Sequence, residues 1–138
     1  MMAKTLYGFE PILAKELRNL GAGHVEEGVR NVTFEGDIGF MYKANLCLRT
    51  ALKVFKPIKT FRVFNEKDLY RNIYELDWPE FFDVEKTFAI DSIANTEVFD
   101  NSMFVSLKTK DAIVDKFREV VRDRPNVKTQ DPDIRINI

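Results

Sequence analysis

Among its 138 residues the chain has one cysteine, Cys47, and one histidine, His24. No disulfide can close within it, and one thiol with one imidazole cannot assemble a zinc site from sulfur and nitrogen ligands. His24 has no serine or cysteine partner in a recognisable arrangement and adjoins a predicted strand, so a surface or structural place is expected for it. Cys47 lies in the apolar stretch Ala44–Leu48 with no basic or histidine neighbour to activate it, and is expected as a buried, inert thiol. The six glycines form neither a G-x-G-x-x-G turn nor a P-loop, so no nucleotide or methyl-donor cradle of the Rossmann type is written in the chain. No apolar run reaches the roughly 18 to 20 residues of a membrane span, and Met1–Tyr7 lacks the apolar stretch of a signal peptide, which points to a cytoplasmic setting. Carboxylate pairs exist, Glu26 with Glu27 and Asp131 with Asp133, but an acid-rich chain of this kind places such pairs on a solvated surface. No catalytic residue is assigned.

What the chain does have is enough apolar material for a core, 45% of its residues, and a charge distribution that its total hides. The net charge is −1 and the pI about 5.9, which speaks against a nucleic-acid binder. Yet residues 38–65 carry 6 basic and no acidic side chains, while residues 66–100 carry 3 basic and 10 acidic ones. Polarisation of this degree builds a local field.

Hydrophobic spacing gives the elements. Lys4–Tyr7 reads as a short strand, followed by an amphipathic helix on Phe9, Ile12, Leu13, Leu17 and Leu20 that Gly21 ends. His24–Glu27 and Asn31–Glu35 read as a hairpin, and Asp37 caps a helix from Ile38 towards Leu46. Leu52, Val54, Phe55, Ile58 and Phe61 supply a β-type run interrupted by Pro57. The order β-α-β-β-α-β is that of a ferredoxin-like fold. Beyond it, Asn65 and Asp68 start a helix, and Trp78, Pro79, Phe81 and Phe82 form an aromatic cluster in which Trp78 is expected as a core or interdomain anchor rather than a base-stacking platform. A strand over Thr87–Ile93, a long helix over Met103–Arg122 and a strand on Ile134, Ile136 and Ile138 complete the chain. A predicted strand at the last residue suggests a fragment whose second sheet is incomplete. The expected class is α+β, with a ferredoxin-like βαββαβ domain over 1–64 and an α/β domain over 65–138.

Two basic stretches are candidates for anion binding. Arg49, Lys53, Lys56, Lys59 and Arg62 recur along the β-type run; they read equally as phosphate contacts or as lysines that keep an edge strand from aggregating. Lys108 and Lys110 fall near the predicted start of the long helix, where free backbone N–H groups and the helix dipole favour an anion, with Asn101 and Ser102 as caps. A helix with ordinary solvated charges is the alternative.

Several segments resemble, in order, the front of bacterial THUMP-domain RNA methyltransferases. They are Gly8–Ala22, Gly28–Asp37, Asp68–Tyr70, the Trp78 region, Lys108–Asp115, Arg124–Val127 and Pro132–Asn137. The last three are similar above all to the large-subunit rRNA guanine-N2 methyltransferases. The resemblance implies a ferredoxin-like domain joined to a THUMP domain that binds structured RNA, and a Rossmann-type methyltransferase domain, using S-adenosylmethionine, absent from this chain. It leaves room for a THUMP boundary as early as the low forties. Positions matching its motifs, and so implied in RNA contact, are Lys108, Lys110, Arg124, Asn126 and Arg135; the charge pattern adds Lys53, Lys56 and Lys59. The family's Asn-Pro-Pro-aromatic catalytic motif has no counterpart, since Arg124-Pro125-Asn126 is not that motif. A tRNA-modifying THUMP module, or a ferredoxin-like interaction or ligand-sensing module, are the competing readings.

Overall fold

The computed structural model describes residues 1–94 and 96–138. The chain divides into two compact units, Met1–Thr60 and Phe61–Ile138.

The first unit runs β1 (Met2–Lys4), α1 (Glu10–Leu20), β2 (Gly23–Glu27), β3 (Asn31–Glu35), α2 (Ile38–Cys47) and β4 (Lys53–Phe55). Its sheet has the order β2-β3-β1-β4, and every neighbouring pair is antiparallel. This is the ferredoxin-like arrangement that the element order predicts. On β3, Val32 and Phe34 are buried and Glu35 is exposed, the period of two of a half-buried strand. Helix α1 turns Leu13, Ala14 and Leu17 inward, and Gly21 at φ 99° ends it, its N–H donating to the carbonyl of Arg18 at 3.0 Å. The Gly8–Glu10 segment has a clear physical role. The Glu10 carboxylate, on a residue only 8% exposed, accepts the backbone N–H of Gly8 at 2.7 Å and of Arg30 at 2.8 Å, which ties the entry to α1 to the β2–β3 turn. Gly8 stands at φ 86°, a conformation that suits glycine.

Three expectations need correction here. The first strand is Met2–Lys4, not Lys4–Tyr7. Ala3, fully buried, pairs with Val32 and Val54, whereas Leu6 and Tyr7 are drawn into the turn that delivers Gly8 and are exposed. Cys47 is exposed, not buried. Helix α2 is apolar almost all round, but only Ala44 is buried, and Ile38, Tyr42 and Leu46 face outward with the thiol. The β-type run stops at Phe55, two residues before Pro57, whose missing N–H cannot serve a ladder, and residues 56–63 carry no regular structure.

The second unit contains α3 (Glu66–Tyr74), a 3₁₀ turn (Trp78–Glu80), β5 (Phe88–Asp91), α4 (Ser102–Val121) and β6 (Ile134–Asn137). Asn65 caps α3, accepting the N–H of Asp68 at 2.9 Å. Strands β5 and β6 are parallel. On the opposite edge of β5, the Phe88 N–H donates to Asn126 and its carbonyl accepts from Lys128, both at 3.0 Å, so residues 126–128 run beside β5 as a short third track. The core sets four rings, Trp78, Phe82, Phe88 and Phe117, among aliphatic residues of α3 and α4. Trp78, 2% exposed, donates its indole N–H to the carbonyl of Ile73 at 2.8 Å, and Phe82 lies 5.0 Å from Phe117 between ring centroids. Trp78 is therefore a core anchor.

Candidate nucleic-acid interface

Helix α4 carries the cationic site. Thr109 is fully buried, and because successive helix positions differ by about 100°, the flanking Lys108 and Lys110 are turned to either side of that inward direction. Asn101 caps the helix, its side chain accepting from Phe104 N–H at 3.2 Å. This revises the expected anion site at the helix start. The helix begins at Ser102, so Lys108 lies beyond its first turn, where backbone N–H groups are already taken by the helix ladder and the dipole has faded. What the two lysines present there is their side chains.

After α4, Arg122 in the left-handed region at φ 64° turns the chain back, and Pro125 is buried. With Asn126 and Lys128 bonded to Phe88, the exposed side chains of Arg124 and Asn126 are set across from α4. Between them lies a cleft of about 810 Å³ lined by Tyr70 of α3, Lys108, Lys110, Asp111, Val114, Asp115 and Arg118 of α4, and residues 124–127. Four cations and two carboxylates face it. Lys110 Nζ is 2.8 Å from Asp111 Oδ1, Arg118 Nη1 is 3.3 Å from Asp115 Oδ1, and Lys108 Nζ is 3.9 Å from Glu66 Oε2 and 5.9 Å from the centre of the Tyr70 ring. The Tyr70 hydroxyl donates to Asp115 Oδ2 at 2.8 Å. Burial first, and that carboxylate second, push its pKa up to about 12, so the phenol stays protonated and continues to donate at neutral pH.

Four of the eight predicted contact residues, Lys108, Lys110, Arg124 and Asn126, thus meet in one cleft. Arg135 does not line it. Its guanidinium, on β6, bonds both carboxylate oxygens of Asp91, at 3.1 and 3.2 Å, and the Thr129 carbonyl at 3.3 Å. Lys53, Lys56 and Lys59 lie in the first unit, exposed, on β4 and the segment after it. Sequence reasoning missed Tyr70, Asp111, Asp115 and Arg118. Helical spacing from Lys108 finds the last three, at three, seven and ten residues on; Tyr70, from another helix, has no such signal. His24 sits exposed on β2, 3.8 Å from Glu35, and among the described residues no cluster of three or more His, Cys, Asp or Glu side chains is suited to a metal ion.

The family comparison bears on this same unit. Residues 63–138 match the THUMP domain profile, more than half of the chain. The chain belongs to the THUMP-domain family. Residues 1–55, ahead of the THUMP domain, match the RlmL ferredoxin-like domain. A curated relative, the ribosomal RNA large subunit methyltransferase K/L of Buchnera aphidicola subsp. Schizaphis graminum (strain Sg), is 38% identical over 136 residues. That alignment covers 99% of this THUMP chain, which spans 20% of the relative's length. Among solved structures, a possible methylase from Clostridium difficile 630 shares the fold, with a TM-score of 0.83 at 22% identity over 99% of this chain and 37% of that one. SMU.472, a putative methyltransferase complexed with SAH, aligns with a TM-score of 0.70 at 27% identity over 91% of this chain and 34% of its own. No helix of the described residues is long and apolar enough to cross a membrane.

Proposed function

We propose that this chain docks structured large-subunit ribosomal RNA for an S-adenosylmethionine-dependent guanine-N2 methyltransferase domain carried by the same polypeptide, in the cytoplasm. The observation that carries the reading is the convergence of Lys108, Lys110, Arg118, Arg124 and Asn126 on one cleft of the THUMP unit, from α4 and from the segment that turns back beside it. Arginine and lysine at such spacing suit successive phosphates, and the Asn126 amide can donate to a phosphate or read a base edge. Tyr70 contributes by carrying Lys108 on its ring face and by fixing Asp115. Lys53, Lys56, Lys59 and Arg135 are secondary contacts that add long-range attraction. The methyl donor belongs to the catalytic domain; the name of the K/L relative and the SAH held by SMU.472 support that assignment.

The test is equilibrium binding of a fluorescent rRNA hairpin by anisotropy, in competition with tRNA, across a salt series. Four phosphate contacts predict that log K falls against log salt with a slope of about −3. Reversing Lys108 and Lys110 to glutamate is expected to weaken binding by roughly 100-fold, about tenfold per charged contact, while reversing Lys56 changes it only a few fold. Affinity indifferent to ionic strength overturns the reading, and preference for tRNA replaces rRNA with tRNA as the ligand.

A further inference from the structure

An anion cleft lined only by cations binds any polyanion; this one also presents two carboxylates. Asp111 and Asp115 lie on the same face of α4 as Lys108 and Arg118, so cation, carboxylate, carboxylate and cation follow one another along about 15 Å of helix. The two carboxylates are held differently. The side chain of Asp111 is 54% exposed and touches Lys110, its neighbour in sequence, a pairing that helix geometry does not favour and that therefore breaks easily. Asp115 differs. Tyr70 pins its Oδ2 at 2.8 Å while Arg118 sits at 3.3 Å from its Oδ1, so this acceptor is held at the cleft wall and cannot swing away when a ligand enters.

Resting on the proposed function, we propose that Asp111 and Asp115 determine the selectivity of the cleft by accepting hydrogen bonds from ribose 2′-hydroxyl groups, so that the cations take phosphates and the carboxylates admit only a ribose-bearing strand. The chemistry of the ligand matches the alternation of the wall. Along an RNA strand an acceptor, the phosphate, alternates with a donor, the 2′-hydroxyl, and that hydroxyl is what distinguishes RNA from DNA at a given site. With the donor present, each carboxylate exchanges a water or a weak surface ion pair for a charge-assisted hydrogen bond. Without it, the carboxylate is left beside a phosphate with nothing to accept, and a site built to bond a hydroxyl rejects the analogue that lacks one.

The experiment compares three hairpins of one sequence by anisotropy: RNA, 2′-fluoro RNA, which keeps the A-form and the phosphates but has no hydroxyl donor, and DNA. The wild-type chain is expected to prefer RNA over the 2′-fluoro hairpin by several fold. Asp111→Ala, at an exposed helical position, is expected to reduce that preference to about twofold or less, chiefly by tightening the 2′-fluoro and DNA complexes. Asp115→Asn keeps an acceptor for Tyr70 and removes the charge; it is expected to shrink the preference in the same direction. Equal wild-type affinity for RNA and 2′-fluoro RNA, or variants that change all three affinities by one common factor, overturn the selectivity role and leave the cleft as the RNA site. A wild-type chain that binds none of the three overturns the docking function and this inference with it.

Discussion

The first unit buries three alanines beside larger aliphatic residues and one ring, Phe34, whereas the second buries four rings among aliphatic residues. The first closes its sheet against α1 and α2 with Ala3, Ala14 and Ala44 beside Leu13, Leu17 and Val32, small residues that let helix and strand approach closely, and its one buried acid, Glu10, is turned inward onto backbone N–H groups. The second packs Trp78, Phe82, Phe88 and Phe117 against a two-stranded sheet and sets two acids and four cations on the wall of an open cleft. Each ring buries a large apolar area, which suits a unit whose sheet has only two strands. What the contrast teaches is a division of labour. In the first unit the buried carboxylate serves the backbone, and in the second a group of charges is left available to a ligand.

The sharpest way to break that contrast is through Trp78. Replacing it with alanine empties the centre of the second core and removes the donor to the Ile73 carbonyl, at a cost of about 3–5 kcal/mol. This is a large share of the roughly 5–15 kcal/mol that holds a domain together. Hydrogen exchange followed by mass spectrometry should show protection lost across residues 61–138 and retained in residues 1–60. Loss shared evenly by both would show that the units unfold as one.

Glu10 probes the other side of the comparison with a smaller effect. Its own backbone N–H first, then those of Arg30 and Gly8, hold its pKa below the ordinary glutamate value of 4.5. A group whose folded pKa is depressed stabilises the fold above the unfolded pKa, and that contribution is lost as pH falls through the folded value. Glu10→Gln should therefore lower the melting temperature of the first unit by roughly 5 °C at neutral pH. The gap between variant and wild type should stay constant down to about pH 5 and close progressively below pH 4.5. A gap that does not vary with pH would mean that packing, not the carboxylate, accounts for the burial of Glu10.

How far these features could be read in the sequence follows from how local their signals are. The βαββαβ order, the Asp37 and Asn65 caps and the Gly21 stop were legible because each depends on residues within one or two turns. The position of β1 was not, because the choice between Ala3 and Leu6 as the inward residue is made by Val32 and Val54 across the sheet. In the cleft, Lys108 and Lys110 stood out by charge, but Tyr70 reaches Asp115 from 45 residues away, a meeting that spacing along one helix cannot announce. The track of residues 126–128 beside β5 was likewise invisible, since it rests on backbone bonds to Phe88 and carries no strand-like pattern of its own.

The smallest effect tests why Cys47, expected inside, lies outside. With Ile38, Phe40, Met41, Tyr42 and Leu46 distributed around ten residues, no period marks an inward side, and Cys47 was assigned to the core on the company it keeps in sequence. Ala44 is the one fully buried residue of the helix, with Phe40 partly buried against Phe34 at 5.8 Å between ring centroids, so the inward side is narrow and leaves Cys47 outside it. Cys47 should accordingly react with a disulfide reagent such as DTNB in the folded protein, releasing one equivalent without denaturant, and Cys47→Ser should change stability by no more than about 0.5 kcal/mol. A thiol that reacts only after unfolding would place Cys47 in a covered face and require α2 to turn a different side toward its sheet.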